Sequence, residues 1–191
     1  MTGVVAIGCS LGGFRALGRL LGALPSSFTT PIAVVQHRAS HGTEEYCAAL
    51  QRSCTLRVCE AEDKQPLTPG TVHVAPAGYH MLLDEGAIAL SVDQPVNFAR
   101  PSIDVLFESA ADAFGPGAVV VVLSGASADG TRGARAVLAK GGRVVVQDPS
   151  DAECRVMPAT MLADSPAAAV MPLDGIAGWL ERNAQAAAAS G

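Results

Sequence analysis

The sequence predicts an α/β fold: a three-layer, doubly wound, mostly parallel sheet of Rossmann-like type with a small antiparallel β-meander insertion. Short apolar runs of strand length alternate with helical patterns along most of the chain. Hydrophobic residues make up 49% of the 191 residues and charged residues only 16%, which suits a sheet covered on both faces. No internal repeat or linker is visible, so we expect a single domain over residues 1–191.

The first part of the chain begins with a β-α-β pattern. Its first two strands are apolar throughout, as is typical of parallel strands that are buried on both faces. Gly12-Gly13 follows the first strand, and Pro25 ends the helix after it. The predicted strands are 4–9, 32–36 and 56–58, and the predicted helices are 13–24 and 43–52.

The middle of the chain changes character before the α/β rhythm resumes. Short runs at 71–75, 80–83 and 88–91 are separated by turn residues, which predicts the β-meander. Ser102 after Pro101 is a suitable N-cap for the next helix. The remaining predicted helices are 101–114, 129–139, 159–163 and a C-terminal one, and the remaining strands are 119–123, 143–147 and 168–171.

Charge and cysteine content exclude several classes of function. The net charge is −5 and the 13 Lys and Arg residues are scattered, so nothing marks a nucleic-acid-binding face. The five cysteines form no CxxC pair and leave one over, which indicates a reduced, cytoplasmic protein without a structural metal. No basic leader and no apolar run of about 18 residues are present, which disfavours secretion and membrane insertion.

Three strand ends carry side chains that together suit acyl transfer. Ser10 stands on the tight turn after the first strand, where backbone N–H groups of the next helix point at the same place. His37 ends the second strand, and Asp129 follows the strand 119–123. Ligands in open α/β sheets bind beyond the carboxyl ends of the strands. We therefore expect Ser10 as nucleophile, His37 as general base, and Asp129 to fix the imidazole tautomer.

A glycine-rich turn after a first strand is also typical of nucleotide-binding folds. Such a site needs an acidic residue about 20 residues after the glycines to bind ribose, whereas this chain has Gln36-His37 there. No GxxxxGK[ST] motif and no Tyr-x-x-x-Lys pair occur, because Leu50 and Leu83 stand where a lysine is needed. The sequence therefore predicts no nucleotide cofactor.

Beyond these residues, the chain resembles the catalytic domain of CheB-type protein-glutamate methylesterases over nearly its full length. The family's catalytic Ser, His and Asp fall on Ser10, His37 and Asp129. The matching segments are 7–13, 34–37, 67–76, 100–107, 123–125 with Asp129-Gly130, Gln147-Asp148, and Met157-Pro158.

This resemblance implies hydrolysis of glutamate γ-methyl esters on the cytoplasmic helices of methyl-accepting chemoreceptors, with release of methanol and with glutamine deamidation as a side activity. It implies no cofactor. Leu11, Gly12 and Ala126 would form the oxyanion site and cleft wall. Family members commonly carry an N-terminal receiver domain, but only nine residues precede Ser10 here. We therefore expect a stand-alone domain that phosphorylation does not gate in cis.

Two further residues are candidates for the substrate cleft. Arg100 would contact an acidic substrate helix or form a salt bridge, and the sequence does not favour either. His41 would line the cleft or lie in a solvated loop.

The chain also departs from the family pattern beside the predicted nucleophile and carboxylate. The family usually has Thr at Leu11, and Met and Gly at Ala126 and Ser127. These substitutions change the cleft wall but leave backbone donors available. Two alternatives therefore stay open: a catalytically weak or inactive receptor-binding module, and an esterase or amidase for a different substrate. The sequence leaves the oligomeric state open.

Overall fold

The computed structural model describes residues 3–38, 43–84 and 86–188 as an α/β fold. The strands are β1 (Val4–Cys9), β2 (Ile32–Gln36), β3 (Arg57–Glu60), β4 (Thr71–Val74), β5 (His80–Asp84), β6 (Ala87–Ser91), β7 (Ala118–Val122), β8 (Arg143–Gln147) and β9 (Ala169–Met171). The helices are α1 (Gly13–Ala23), α2 (Thr43–Gln51), α3 (Ile103–Phe114), α4 (Thr131–Ala139), α5 (Val156–Asp164) and α6 (Leu173–Ala188), with a 3₁₀ turn at Gly115–Gly117.

The main sheet has seven strands in the order β3-β4-β2-β1-β7-β8-β9, and every neighbouring pair is parallel. The chain builds one half outward from β1 through β2 and the other outward from β7. The order therefore reverses between β1 and β7, and in open α/β sheets the ligand crevice lies at such a switch point. The predicted doubly wound fold is confirmed.

Alternate residues of the central strands pack on opposite faces of this sheet. Val5 and Ile7 of β1 join a buried cluster with α1, α2 and α6, whereas Val4 and Ala6 join a second cluster with α3, α4, α5 and the β5–β6 hairpin. Both faces of the sheet are thus covered by apolar side chains, which produces the three layers. No helix among the described residues is both long and apolar enough to cross a membrane.

The assignment of residues 71–75 to an antiparallel meander is wrong. Thr71–Val74 is a parallel strand of the main sheet between β2 and β3, and among the strands of the described residues only β5 and β6 form an antiparallel pair. His73 makes this strand look half-exposed in the sequence, but it is fully buried. Its ring accepts a hydrogen bond from the Thr68 N–H (3.2 Å) and lies 3.6 Å from Cys59 Sγ, so its polar atoms are satisfied inside the fold.

Several element boundaries differ from the prediction. The helix expected from residue 129 begins at Thr131, because Gly130 takes a left-handed conformation (φ 99°) at the N-cap. Asp129 therefore lies outside α4 and its side chain is available to other elements. The strand expected at 56–58 is Arg57–Glu60, and the helix expected at 159–163 extends over Val156–Asp164.

Candidate active site

The sheet brings the ends of β2, β1 and β7 side by side. Cys9 pairs with Gln36 in the β1–β2 register, so Ser10 and His37 directly follow paired positions on adjacent strands. The His37 backbone N–H donates to the Cys9 carbonyl (3.1 Å), and the Ser10 N–H donates to the Ser124 carbonyl beyond β7 (2.9 Å). Since adjacent strands lie about 4.8 Å apart, the nucleophile turn and the imidazole are neighbours.

The His37 ring and the Asp129 carboxylate are joined by a hydrogen bond. Nε2 of His37 lies 2.8 Å from Oδ2 of Asp129, and their side chains are 17% and 0% exposed. No hydrogen bond joins Ser10 Oγ to another group within the part of the chain that the structure describes. Two of the three predicted side chains are therefore in direct contact, and Ser10 is brought beside them through its backbone position.

The Asp129 carboxylate accepts hydrogen bonds from five donors, four of them supplied by the segment 97–104. Two of the four are backbone N–H groups at the first turn of α3, where the helix dipole also favours an anion. The donors and distances are His37 Nε2 (2.8 Å), Asn97 Nδ2 (3.1 Å), Ser102 Oγ (2.9 Å), the Ile103 N–H (2.7 Å) and the Asp104 N–H (3.1 Å).

These donors determine the charge state of Asp129. Burial alone raises the pKa of this carboxyl group, but the hydrogen bonds from His37, Ile103, Asn97 and Asp104 outweigh burial and lower the pKa to about 2. An ionised carboxylate can only accept hydrogen bonds, so Nε2 of His37 carries the proton in their shared bond. In the neutral imidazole, Nδ1 is then the nitrogen with a free lone pair.

A close approach of α3 to the sheet makes this arrangement possible. Gly8 lies in β1 just before the nucleophile turn, and the Ile103 and Phe107 side chains occupy the space that a Cβ at Gly8 would need. The first turn of α3 can therefore reach across β1 toward Asp129. Ser102 stands at the N-cap of α3 but makes no side-chain cap, because its hydroxyl donates to Asp129 instead. The predicted N-cap position of Ser102 is confirmed, while its hydroxyl binds Asp129 and not the helix backbone.

The turn after Ser10 requires glycine at Gly12. This residue has φ 75°, and a Cβ there would lie 2.7 Å from Ser124 Oγ. The Ser124 hydroxyl donates to the Leu11 carbonyl (2.7 Å) and accepts the Cys154 N–H (2.8 Å), which fixes the turn to the loop beyond β8. Within the described residues, the N–H groups of Leu11 and Gly12 make no internal hydrogen bond. Both therefore remain available at the N-terminus of α1.

The loop after β7 forms the other side of the nucleophile turn. Its Gly125 exchanges backbone hydrogen bonds with the Cys154 carbonyl (3.1 Å) and the Met157 N–H (2.8 Å), which orders the loop. Ala126 is exposed, and Ser127 lines the cavity next to His37. The predicted cleft-wall residue Ala126 and its neighbour Ser127 therefore lie at the carboxyl ends of the parallel strands.

A cavity of about 270 Å³ opens beside the His37–Asp129 pair. Arg100 lines it, but its guanidinium donates to the backbone carbonyls of Val92 (2.8 Å) and Asp93 (3.0 Å). It makes no salt bridge within the described ranges. The predicted cleft residue His41 lies outside the described residues. The lining residues are His37, Arg38, Asn97, Phe98, Ala99, Arg100, Pro101 and Ser127.

Asn97 and the hydrogen bond from Ser102 to Asp129 were not predicted from the sequence. Asn97 precedes the first turn of α3 by several residues and carries no motif of its own. The one available signal was its residue type, since asparagine tolerates positive φ better than most residues. Among the described residues, no group of three or more His, Cys, Asp or Glu side chains is arranged to hold a metal ion.

A family model, curated relatives and a solved structure each match nearly the whole chain. Residues 5–180 match the family model described as CheB methylesterase. The crystal structure of the Thermotoga maritima CheB methylesterase catalytic domain superposes with a TM-score of 0.90 at 32% identity, covering 95% of this chain and 98% of that one.

Relatives from three bacteria carry matching names. A Leptospira interrogans protein named as a protein-glutamate methylesterase/protein-glutamine glutaminase is 38% identical, over 91% of this chain and 90% of its own length. The protein-glutamate methylesterase FrzG of Myxococcus xanthus is also 38% identical over 91% of this chain, but the match covers 52% of its length. A Nocardioides relative named as the same bifunctional enzyme is 40% identical over 89% of this chain and 47% of its own. The chain thus spans most of the Leptospira protein and about half of the other two.

Proposed function

Because the chain belongs to the CheB methylesterase family, we propose that it hydrolyses glutamate γ-methyl esters on chemoreceptor helices through a Ser10–His37–Asp129 triad. The observation that carries this proposal is the 2.8 Å bond between His37 Nε2 and the buried Asp129 carboxylate, beside the turn that holds Ser10. Serine, imidazole and carboxylate are the parts that acyl transfer needs.

The tautomer of His37 determines which nitrogen acts as the base. Asp129 holds the proton on Nε2, so Nδ1 would take the proton of Ser10 as its oxygen attacks the ester carbonyl. The tetrahedral intermediate expels the methoxy group, which leaves as methanol with the proton from Nδ1. Water then attacks the acyl-Ser10 ester, His37 takes the water proton and returns it to Ser10, and a glutamate carboxylate is released.

The developing negative charge on the carbonyl oxygen needs donors that are already in place. The N–H groups of Leu11 and Gly12, which have no partner within the described residues, stand at the positive end of α1 and suit this role. Ala126 would form the facing wall. The side chain at position 11 is not itself needed for a backbone donor. Leucine in place of the family's usual threonine is therefore compatible with turnover.

The substrate would enter over the exposed wall of the cavity. Phe98 protrudes fully into solvent at this wall, with Arg100 beside it. An exposed aromatic ring suits contact with the apolar stripe of an amphipathic receptor helix. Because the Arg100 guanidinium is bound to backbone carbonyls, we propose that Arg100 supports the wall and presents its remaining N–H groups to acidic side chains of the receptor.

The same apparatus suits deamidation of glutamine. An amide carbonyl would be attacked in the same way, and ammonia would leave in place of methanol after protonation by His37. The names of the Leptospira and Nocardioides relatives include both activities. The five thiols are all free, which is consistent with action in the reducing cytoplasm, where we propose the chain meets receptor helices.

Methanol release from methylated receptor tests the proposal. We expect turnover by the wild type, loss of turnover in Ser10→Ala, and unchanged turnover in the matched control Ser26→Ala, an exposed serine after α1. Receptor binding without turnover would instead indicate a binding module. Turnover of a simple acyl ester but not of methylated receptor would indicate an esterase for another substrate. Equal rates in wild type and Ser10→Ala would contradict the triad.

A further inference from the structure

A tight turn at 96–99 projects from the cavity wall next to Asp129. Val96 and Ala99 exchange two backbone hydrogen bonds of 3.1 and 2.9 Å, so Asn97 and Phe98 are the two central residues. Both are left-handed, with φ 51° and 63°. Asparagine takes this conformation readily, but an aromatic residue does so only at a cost in strain. The contacts that hold the turn must offset that strain.

The side-chain amide of Asn97 supplies such contacts. Its Nδ2 lies 2.8 Å from Oδ2 of Asp104 and 3.1 Å from Oδ1 of Asp129. An amide nitrogen has two N–H donors, so one can point to each carboxylate. Asp104 and Asp129 are only 2% and 1% exposed, whereas the rest of Asn97 is exposed at the mouth of the cavity. One neutral amide therefore donates hydrogen bonds to two buried carboxyl groups and offsets part of the cost of burying them.

Asp104 depends on this contact more than Asp129 does. Its other oxygen accepts the Gly133 N–H (2.8 Å), and Asn97 is the partner of its Oδ2. Burial raises the pKa of Asp104 and the neighbouring Asp129 raises it further, while the hydrogen bonds from Gly133 and Asn97 lower it. Without the amide, Oδ2 of Asp104 would lose this donor, and the repulsion between Asp104 and the neighbouring Asp129 would no longer be offset by a shared N–H partner. The resulting repulsion would act directly on the carboxylate that holds His37.

We propose that Asn97 is a positioning residue: by bridging Asp104 and Asp129, its amide keeps Oδ2 of Asp129 aligned with Nε2 of His37. This inference rests on the proposed function, since alignment matters only if the His37–Asp129 pair is catalytic. Among the described residues, no hydrogen bond joins Asn97 to Ser10. Asn97 acts on the rate through Asp129.

The variant Asn97→Gly deletes the amide while retaining a residue that adopts the left-handed turn without strain. The matched control is Lys64→Gly, because Lys64 has φ 63° in a loop outside the cavity. We expect Asn97→Gly to lower kcat on methylated receptor by about tenfold with KM changed by less than about twofold, as for loss of a group that acts in the transition state. Lys64→Gly should leave both parameters unchanged.

A substrate-free measurement separates this proposal from the proposed function. The proton between His37 Nε2 and Asp129 is expected as a downfield resonance in the proton NMR spectrum, assigned by its absence in His37→Gln. Asn97→Gly should shift or broaden this resonance, and adding Asp104→Asn, which removes one of the two facing charges, should restore part of kcat. A wild-type resonance and wild-type kcat in Asn97→Gly would overturn the proposal, even if its melting temperature falls. Absence of methanol release by the wild type would refute the proposed function alone.

Discussion

The replacement Asp129→Asn tests whether the donors around this carboxylate stabilise the fold as well as the site. Burial raises the pKa of Asp129, but the hydrogen bonds lower it from 3.8 to about 2. At about 1.4 kcal/mol per unit of pKa shift, the ionised carboxylate contributes ~2–3 kcal/mol to the free energy of unfolding at neutral pH. The variant loses this contribution. It also turns an NH₂ group toward at least one donor, which costs a further ~1–3 kcal/mol.

The pH dependence distinguishes the charge effect from a loss of packing. Because the native pKa is depressed, the stabilisation is fully present above the unfolded pKa of 3.8 and is lost as the pH falls toward about 2. The difference in stability between the wild type and Asp129→Asn should therefore be largest at neutral pH. It should narrow by about 1 kcal/mol by about pH 3.

Urea unfolding at a series of pH values measures this difference. Trp179 is the single tryptophan and packs against the core, so its fluorescence reports unfolding. The control Asp84→Asn removes an exposed carboxyl group at the end of β5, and its stability curve should run parallel to the wild type. A gap between wild type and Asp129→Asn that stays constant from neutral to acidic pH would refute the reasoning.

Three further predictions concern packing, thiol reactivity and substrate contact. Gly8→Ala should lower the free energy of unfolding by ~1–3 kcal/mol in urea titrations, because the new Cβ would clash with Ile103 and Phe107. The control Gly175→Ala in α6 would make only an ordinary van der Waals contact with Met171, so it should raise the free energy of unfolding by about 0.5 kcal/mol. Burial raises the pKa of the Cys9 thiol to about 12, so mass spectrometry should find Cys9 unmodified by a thiol reagent at about pH 8 until the protein is unfolded; modification in the native state would contradict the buried position. Phe98→Gly should raise KM for methylated receptor several-fold without lowering the melting temperature, since the ring is fully exposed and glycine relieves the positive φ; an unchanged KM would exclude contact between this ring and the receptor.

The sequence predicted the parts of the fold that depend on local pattern. Strands 4–9 and 32–36 were predicted with their observed bounds, because an unbroken apolar run bounded by turn residues has few other solutions in a compact fold. Ser10 and His37 followed from the same pattern, since residues just beyond parallel strands necessarily meet at one edge of the sheet. The neighbouring positions of Ser10 and His37 depend only on where the strands end and on their order in the sheet.

The tertiary structure alone decided what surrounds these residues. β4 can lie inside the main sheet because Cys59 and the Thr68 N–H satisfy the buried ring of His73. The alternation of apolar and polar residues in the sequence does not show these contacts. The low pKa of Asp129 depends on donors at Asn97 and in the first turn of α3, at least 25 residues away along the chain. Strand ends can be placed from a pattern that is local in sequence. Hydrogen-bond donors that reach a carboxylate from another element depend on how the helices pack, and packing is settled only when the chain is folded.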